Sequence, residues 1–130
     1  MPPAVTFTAL ASGSIHMCAL DTDGNAWCWG DSTEGKFCVG TGGSSVPTMV
    51  QMPAGRSFVA ISANHYNSCA LDDLGNAWCW GDNEYGQLGN GNNTDMNVPT
   101  AVSMPSGRSF ISIANGRQFA CAIDNTGAGW

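Results

Sequence analysis

Basic side chains are scarce. Four Lys and Arg stand against ten Asp and Glu, which leaves a formal net charge of −6 and a pI near 4.3. A DNA or RNA partner needs clustered Lys and Arg to displace counterions, so nucleic acid is disfavoured as a direct partner. Long apolar runs are missing too: no stretch of about 18 apolar residues occurs, which argues against a membrane-spanning helix. The first basic residue is Lys36, so the opening stretch lacks the charged start of a signal peptide. Histidine occurs twice, and charged residues make up only 11% of the chain. What is present is apolar and turn-forming: 43% hydrophobic residues, 9% aromatics and 17 glycines. That is enough for a packed core in a single domain, with the glycine load of short strands joined by turns rather than of a helical bundle.

Self-comparison reveals the organisation. Of the fourteen positions from Cys18 to Asp31, twelve recur identically 51 residues later, from Cys69 to Asp82. Met52-Pro53-Ala54-Gly55-Arg56-Ser57-Phe58 returns as Met104-Pro105-Ser106-Gly107-Arg108-Ser109-Phe110, 52 residues on. A third copy opens at Cys121-Ala122-Ile123-Asp124 and runs to Trp130, which falls on the first Trp of Trp-Cys-Trp-Gly. Met1 to Phe7 aligns with Met52 to Phe58, so both ends read as cuts through a longer array. We divide the chain into a first repeat (1–51), a second (52–103) and a truncated third (104–130), one continuous array. Periods of this size mark solenoids and propellers, whose units bury their faces only against neighbours.

Each unit reads as all-β. Residues 58–62, 69–71 and 77–80 are short apolar strands, and Asp23-Gly24-Asn25 or Leu74-Gly75-Asn76 supplies the tight turn between the last two. The Gly-rich stretch from Gly81 to Gly91 reads as an ordered connecting loop. These residues resemble the regulator of chromosome condensation repeat. The resemblance rests on Cys69-Ala70-Leu71, the turn Gly75, Trp80-Gly81, and above all Gly86-Gln87-Leu88-Gly89 followed by Pro99. His16-Met17-Cys18-Ala19-Leu20 is similar to the family's His-x-Cys-Ala-Leu, where the second repeat has Asn67. The first repeat departs after Gly35, with Lys36-Phe37-Cys38 in place of Gln87-Leu88-Gly89. The resemblance implies β-propeller blades, typically seven to a ring, and here a partial, open propeller built from 51–52-residue repeats.

Four of the six cysteines form like-spaced pairs, Cys18 with Cys28 and Cys69 with Cys79, each bracketing a hairpin turn. They fit either cross-strand disulfides or buried free thiols acting as small hydrophobes. The ten-residue spacing lacks the close Cys-x2-Cys knuckle of a zinc site. Cys121 sits in the register of Cys18 and Cys69, while Cys38 has no mate in it. Disulfides would place the protein in an extracellular or cell-surface compartment, and free thiols in the cytoplasm.

No constellation calls for catalysis. His16 and His65 lie out of register, and no Gly-x-Ser-x-Gly elbow offers a nucleophile. Asp21-Thr22-Asp23-Gly24-Asn25 is better read as a hairpin turn than as a calcium loop, since no Glu closes a 12-residue loop. Gly40 to Gly43 has no Lys to reach a phosphate. We therefore expect no enzyme activity, cofactor or metal. Trp27, Trp29, Trp78 and Trp80 recur at identical offsets, which favours blade core over a ligand platform, and Arg56 and Arg108 by the same logic anchor the framework. Binding belongs to residues that differ between copies. Those are Glu34, Lys36 and Phe37 in the first repeat, and Asn83, Glu84, Tyr85, Asn93 and Asp95 in the second. Asn92-Asn93-Thr94 is also a glycosylation sequon. The function expected is a non-catalytic scaffold for an unknown protein partner, within a larger secreted or cell-surface protein. The family resemblance supplies the alternative: a nucleotide exchange factor acting on a small GTPase, as family members do on Ran. We also expect open terminal blade faces that drive self-association.

Overall fold

A computed structural model of the chain describes residues 4–30, 44–65, 67–81, 89, 91–94, 96–104, 106–116 and 119–130. They form ten strands and, among the described residues, no helix. β1 (Phe7–Ser12), β2 (His16–Asp21), β3 (Ala26–Gly30) and β4 (Ser44–Met49) make one antiparallel sheet in chain order. β5 (Phe58–Ala63), β6 (Asn67–Asp72), β7 (Ala77–Gly81) and β8 (Met96–Ala101) make a second sheet of the same order, and β9 (Phe110–Asn115) pairs with β10 (Ala120–Asp124) in a third. Four-stranded meanders in series are propeller blades, and two and a half of them make an open, partial propeller.

The repeat pattern predicts three strands in each unit, whereas each complete sheet has four. The missed strands, β4 and β8, carry Pro47 and Pro99. Proline cannot donate to a ladder, which demotes such a segment when read alone. Both strands lie at the free edge of their sheet, where a missing N–H leaves no partner unsatisfied.

The register repeats with the sequence. Cys18 pairs with Cys28 and Ala19 with Trp27, as Cys69 pairs with Cys79 and Ala70 with Trp78. Each first strand breaks register at the same place, between Phe7 and Ala9, Phe58 and Ala60, and next to Phe110 opposite Asp124 and Ile123. A bulge therefore falls at Thr8, Val59 and Ile111, one extra residue that the partner strand does not match.

Sheets stack face to face through side chains that alternate along the strands. From the first sheet, Cys18, Leu20, Ala26, Cys28 and Val50 meet Phe58, Ala70 and Trp80 of the second. Leu71 and Ala77 then meet Phe110 and Ala122 of the third. Phe58 and Trp80 stack with ring centroids 6.2 Å apart and planes 10° from parallel, an arrangement worth about 1 kcal/mol beyond the area buried. The outer faces have no such cover: Leu10 and Met49 on the first sheet and Cys121 and Ile123 on the third are exposed.

Candidate functional site

The recurrent residues build one device three times over. Asp21, at the end of β2, accepts the backbone N–H of Asp23 and of Asn25 on Oδ1, both at 2.9 Å. Its Oδ2 takes the Asn25 amide at 3.1 Å and the Trp27 indole N–H at 2.9 Å. Asp72 repeats the pattern with Leu74, Asn76 and Trp78, and Asp124 with Thr126, Ala128 and Trp130. Each buried carboxylate thus closes its hairpin turn and pins the tryptophan six residues on. Burial raises the pKa of Asp21 and Asp72, but the indole and turn N–H donors together outweigh it and hold both below the usual carboxylate range. The Thr126 hydroxyl and Trp130 indole hold Asp124 far below that range. Arg56 lies 3.6 Å from Asp72, and Arg108 lies 3.4 Å from Asp124 and donates to the Thr126 hydroxyl at 2.6 Å. The first repeat has Val5 where the second has Arg56.

The sequence carries a signal for this clamp. Asp and Trp recur six residues apart at Asp21/Trp27, Asp72/Trp78 and Asp124/Trp130. A carboxylate before a turn explains the turn, and only the fold shows that the same carboxylate returns to the tryptophan.

The turns also dock one sheet on the next. Phe58 donates its N–H to the Gly24 carbonyl and Phe110 to the Gly75 carbonyl, each at 2.8 Å. Gly24 and Gly75 have φ of +80° and +81°, and a Cβ on Gly75 would stand 2.5 Å from the Ser109 Cβ. Glycine is required there by conformation and by approach.

At the opposite end, the two histidines bridge neighbouring sheets. His16, buried, lies 2.8 Å from the Ser68 hydroxyl, and burial lowers its pKa to about 4. His65 lies 2.6 Å from the Ser14 hydroxyl. His65 and Ser14 are equivalent positions of successive repeats, and such positions meet because the sheets stack in register. The Asn64 amide adds a third tie, donating to the Asn115 carbonyl at 2.6 Å.

The sulfurs of Cys18 and Cys28 lie 2.09 Å apart and those of Cys69 and Cys79 lie 2.06 Å apart, distances that fit a cross-strand disulfide in each hairpin. Closing so short a loop stabilises by about 2–3 kcal/mol on chain-entropy grounds. Cys121 is an exposed free thiol. Among the described residues, no group of three His, Cys, Asp or Glu could hold a metal ion.

Of the residues expected to meet a partner, Asn93 lies on an exposed stretch, where Thr94 donates its N–H to the Asn92 side chain at 2.9 Å. Glu34, Lys36, Phe37, Asn83, Glu84, Tyr85 and Asp95 lie outside the described residues, as does Cys38.

Comparison with known proteins agrees with this architecture. The regulator of chromosome condensation (RCC1) repeat matches residues 75–123, and a second model of the same repeat matches residues 7–36 and 58–87. The chain is 31% identical over 124 residues to the E3 ubiquitin-protein ligase HERC2 of Homo sapiens, a match covering 93% of this chain and 3% of that protein. Human WBSCR16 superposes with a TM-score of 0.87 at 20% identity, covering 99% of this chain and 33% of that one. Prp20p of Saccharomyces cerevisiae superposes with a TM-score of 0.77 at 23% identity, covering 94% and 32%. The chain thus spans a small part of the curated relative and about a third of each solved structure. With the repeat matched over well over half of its length, and its sheets arranged as in these structures, the chain belongs to the regulator of chromosome condensation repeat family.

Proposed function

We propose that this chain is part of a non-catalytic β-propeller scaffold that binds protein partners, its repeats bounded at 1–51, 52–103 and 104–130. One observation carries the reading. The residues shared by all copies are taken up inside the framework, as turn clamps, sheet-docking glycines and stacked core. Side chains that vary between copies remain for recognition, with Glu34, Lys36, Phe37, Asn83, Glu84, Tyr85, Asn93 and Asp95 as the contact candidates. The test is to replace Glu34/Lys36/Phe37 and Asn83/Glu84/Tyr85 by Ser and Gly in the full-length protein and compare cross-linked partners by mass spectrometry. The scaffold reading expects partners of the wild type to be lost at unchanged melting temperature. Retention of every partner by both variants would overturn it.

A second reading, an exchange factor acting on a small GTPase, is favoured by Prp20p, whose structure is described together with its binding to Gsp1p and histones. Accelerated release of a fluorescent guanine nucleotide from a GTPase on adding the full-length protein would put this reading in place of the first.

The secreted or cell-surface placement finds no support among the curated relatives similar in sequence, and the cytoplasmic alternative stands beside it. The two cysteine pairs are the observation that bears on the choice. Alkylation of protein from its native source decides: reactive thiols at Cys18, Cys28, Cys69 and Cys79 place it in a reducing compartment, and blocked ones in an oxidising one.

A further inference from the structure

Between the second and third sheets, at the end bearing the clamped turns, lies an open hollow of ≈ 620 Å³. Three exposed apolar side chains line it: Val59 at 64%, Leu74 at 59% and Ile111 at 64%. Val59 and Ile111 are the bulge residues of β5 and β9, and a bulge re-aims a side chain away from the regular face of its sheet. Leu74 is at the tip of the turn that Asp72 closes. The hollow is built rather than incidental, since the bond from Phe110 to the Gly75 carbonyl fixes its two sides together.

The copies differ at these places. Thr8 occupies the bulge of the first repeat, its hydroxyl donating back to the Leu20 carbonyl at 3.3 Å. Asp23 and Thr126 stand where the second repeat has Leu74. The framework therefore tolerates polar residues at both places, and packing does not demand the apolar ones. Beside them Asp73, also lining the hollow, is exposed and has no ion-pair partner among the described residues. Arg56 and Arg108 face the buried Asp72 and Asp124 instead. An apolar surface rimmed by an uncompensated carboxylate, on a chain of net charge −6, complements an apolar side chain next to a basic one.

We propose that this hollow docks a segment of a partner protein, seating an apolar side chain among Val59, Leu74 and Ile111 and a basic side chain at Asp73. The proposal rests on the protein-binding reading and gives it a site. The probe is a short fluorescein-labelled peptide, acetylated and amidated, with Leu-Lys at its centre, against its Leu-Glu counterpart. The receptors are the full chain, Val59→Thr/Leu74→Thr and Asp73→Asn, substitutions drawn from Thr8, Thr126 and Asn125 of the other copies. Fluorescence anisotropy should give saturable binding of the Leu-Lys peptide, weakened about tenfold by the double substitution. Asp73→Asn should bring its affinity down to that of the Leu-Glu peptide. Amide shifts on the labelled wild-type chain should centre on Val59, Leu74 and Ile111, a readout independent of how the variants fold. Equal binding to all three receptors, no saturable binding, preference for Leu-Glu, or shifts centred elsewhere would each overturn the proposal. Sedimentation in which Val59→Thr/Leu74→Thr abolishes self-association would overturn it as well, by assigning the hollow to a second copy. If the hollow fails while the loop substitutions above still remove partners, the scaffold reading survives without this site.

Discussion

The Asp–Trp clamp and His16 respond to pH in different windows. A buried histidine with its pKa lowered to about 4 from 6.5 binds fewer protons folded than unfolded. Its neutral form is accommodated above pH 6.5, and stability falls as pH drops from about 6.5 toward 4, by up to about 1.4 kcal/mol per unit. Asp21, Asp72 and Asp124 are shifted the other way relative to their charge: their lowered pKa values stabilise the fold above the ordinary aspartate range, and that contribution is lost as pH falls through and below it. His16→Asn, which installs the residue found at Asn67, should flatten the urea-midpoint profile between pH 6.5 and 4 and leave the acid limb intact. At the turns, Gly75→Ala and Gly127→Ala share the cost of a positive φ, +81° and +87°, about 1–2 kcal/mol. A Cβ on Gly75 meets Ser109, whereas on Gly127 it meets nothing within 4 Å. Denaturation should show Gly75→Ala to be the more destabilising of the two, and equal losses would remove the docking role of the turn.

At the level of elements, burial follows position in the stack rather than residue type. Trp80 and Trp29 occupy the same place in β7 and β3, yet Trp80 is fully buried against Phe58 while Trp29 is half-buried beside Phe7. Trp80→Ala should cost about 3–5 kcal/mol, and Trp29→Ala clearly less, by chemical denaturation of each variant. The core strands were legible in the sequence, because Cys-Ala-Leu-Asp, the turn glycine and Trp-Cys-Trp-Gly repeat in one register. The edge strands were not, because Pro47 and Pro99 have no N–H to donate to a ladder, and only the fold shows their strands at a free edge. The candidate site was legible only by subtraction. Repetition identified what the framework uses, but Val59 and Ile111 read as ordinary core positions of apolar strands, and only the bulges turn them outward.

For the molecule as a whole, the uncovered faces decide behaviour. Leu10, Met17 and Met49 on the first sheet, and Cys121 and Ile123 on the third, are exposed. The counterparts of Met17, Cys121 and Ile123 in the second sheet, Ser68, Cys69 and Leu71, are buried, and that of Leu10, Ile61, is half-buried, because that sheet has a neighbour on each side. The 130-residue polypeptide on its own should therefore associate with rising concentration in sedimentation velocity. Leu10→Ser/Met49→Ser should shift it toward monomer, and a concentration-independent monomer would show that these faces are stable when bare. The amino-acid sequence by itself determined the period, the all-β class, the turn positions and the like spacing of the cysteines, since each depends on local spacing that repeats. Tertiary structure alone decided which copy of a residue is buried, that one carboxylate serves both turn and tryptophan, and where apolar side chains face solvent. Those outcomes depend on neighbouring sheets and on bulges, and identical sequence in two copies meets different neighbours.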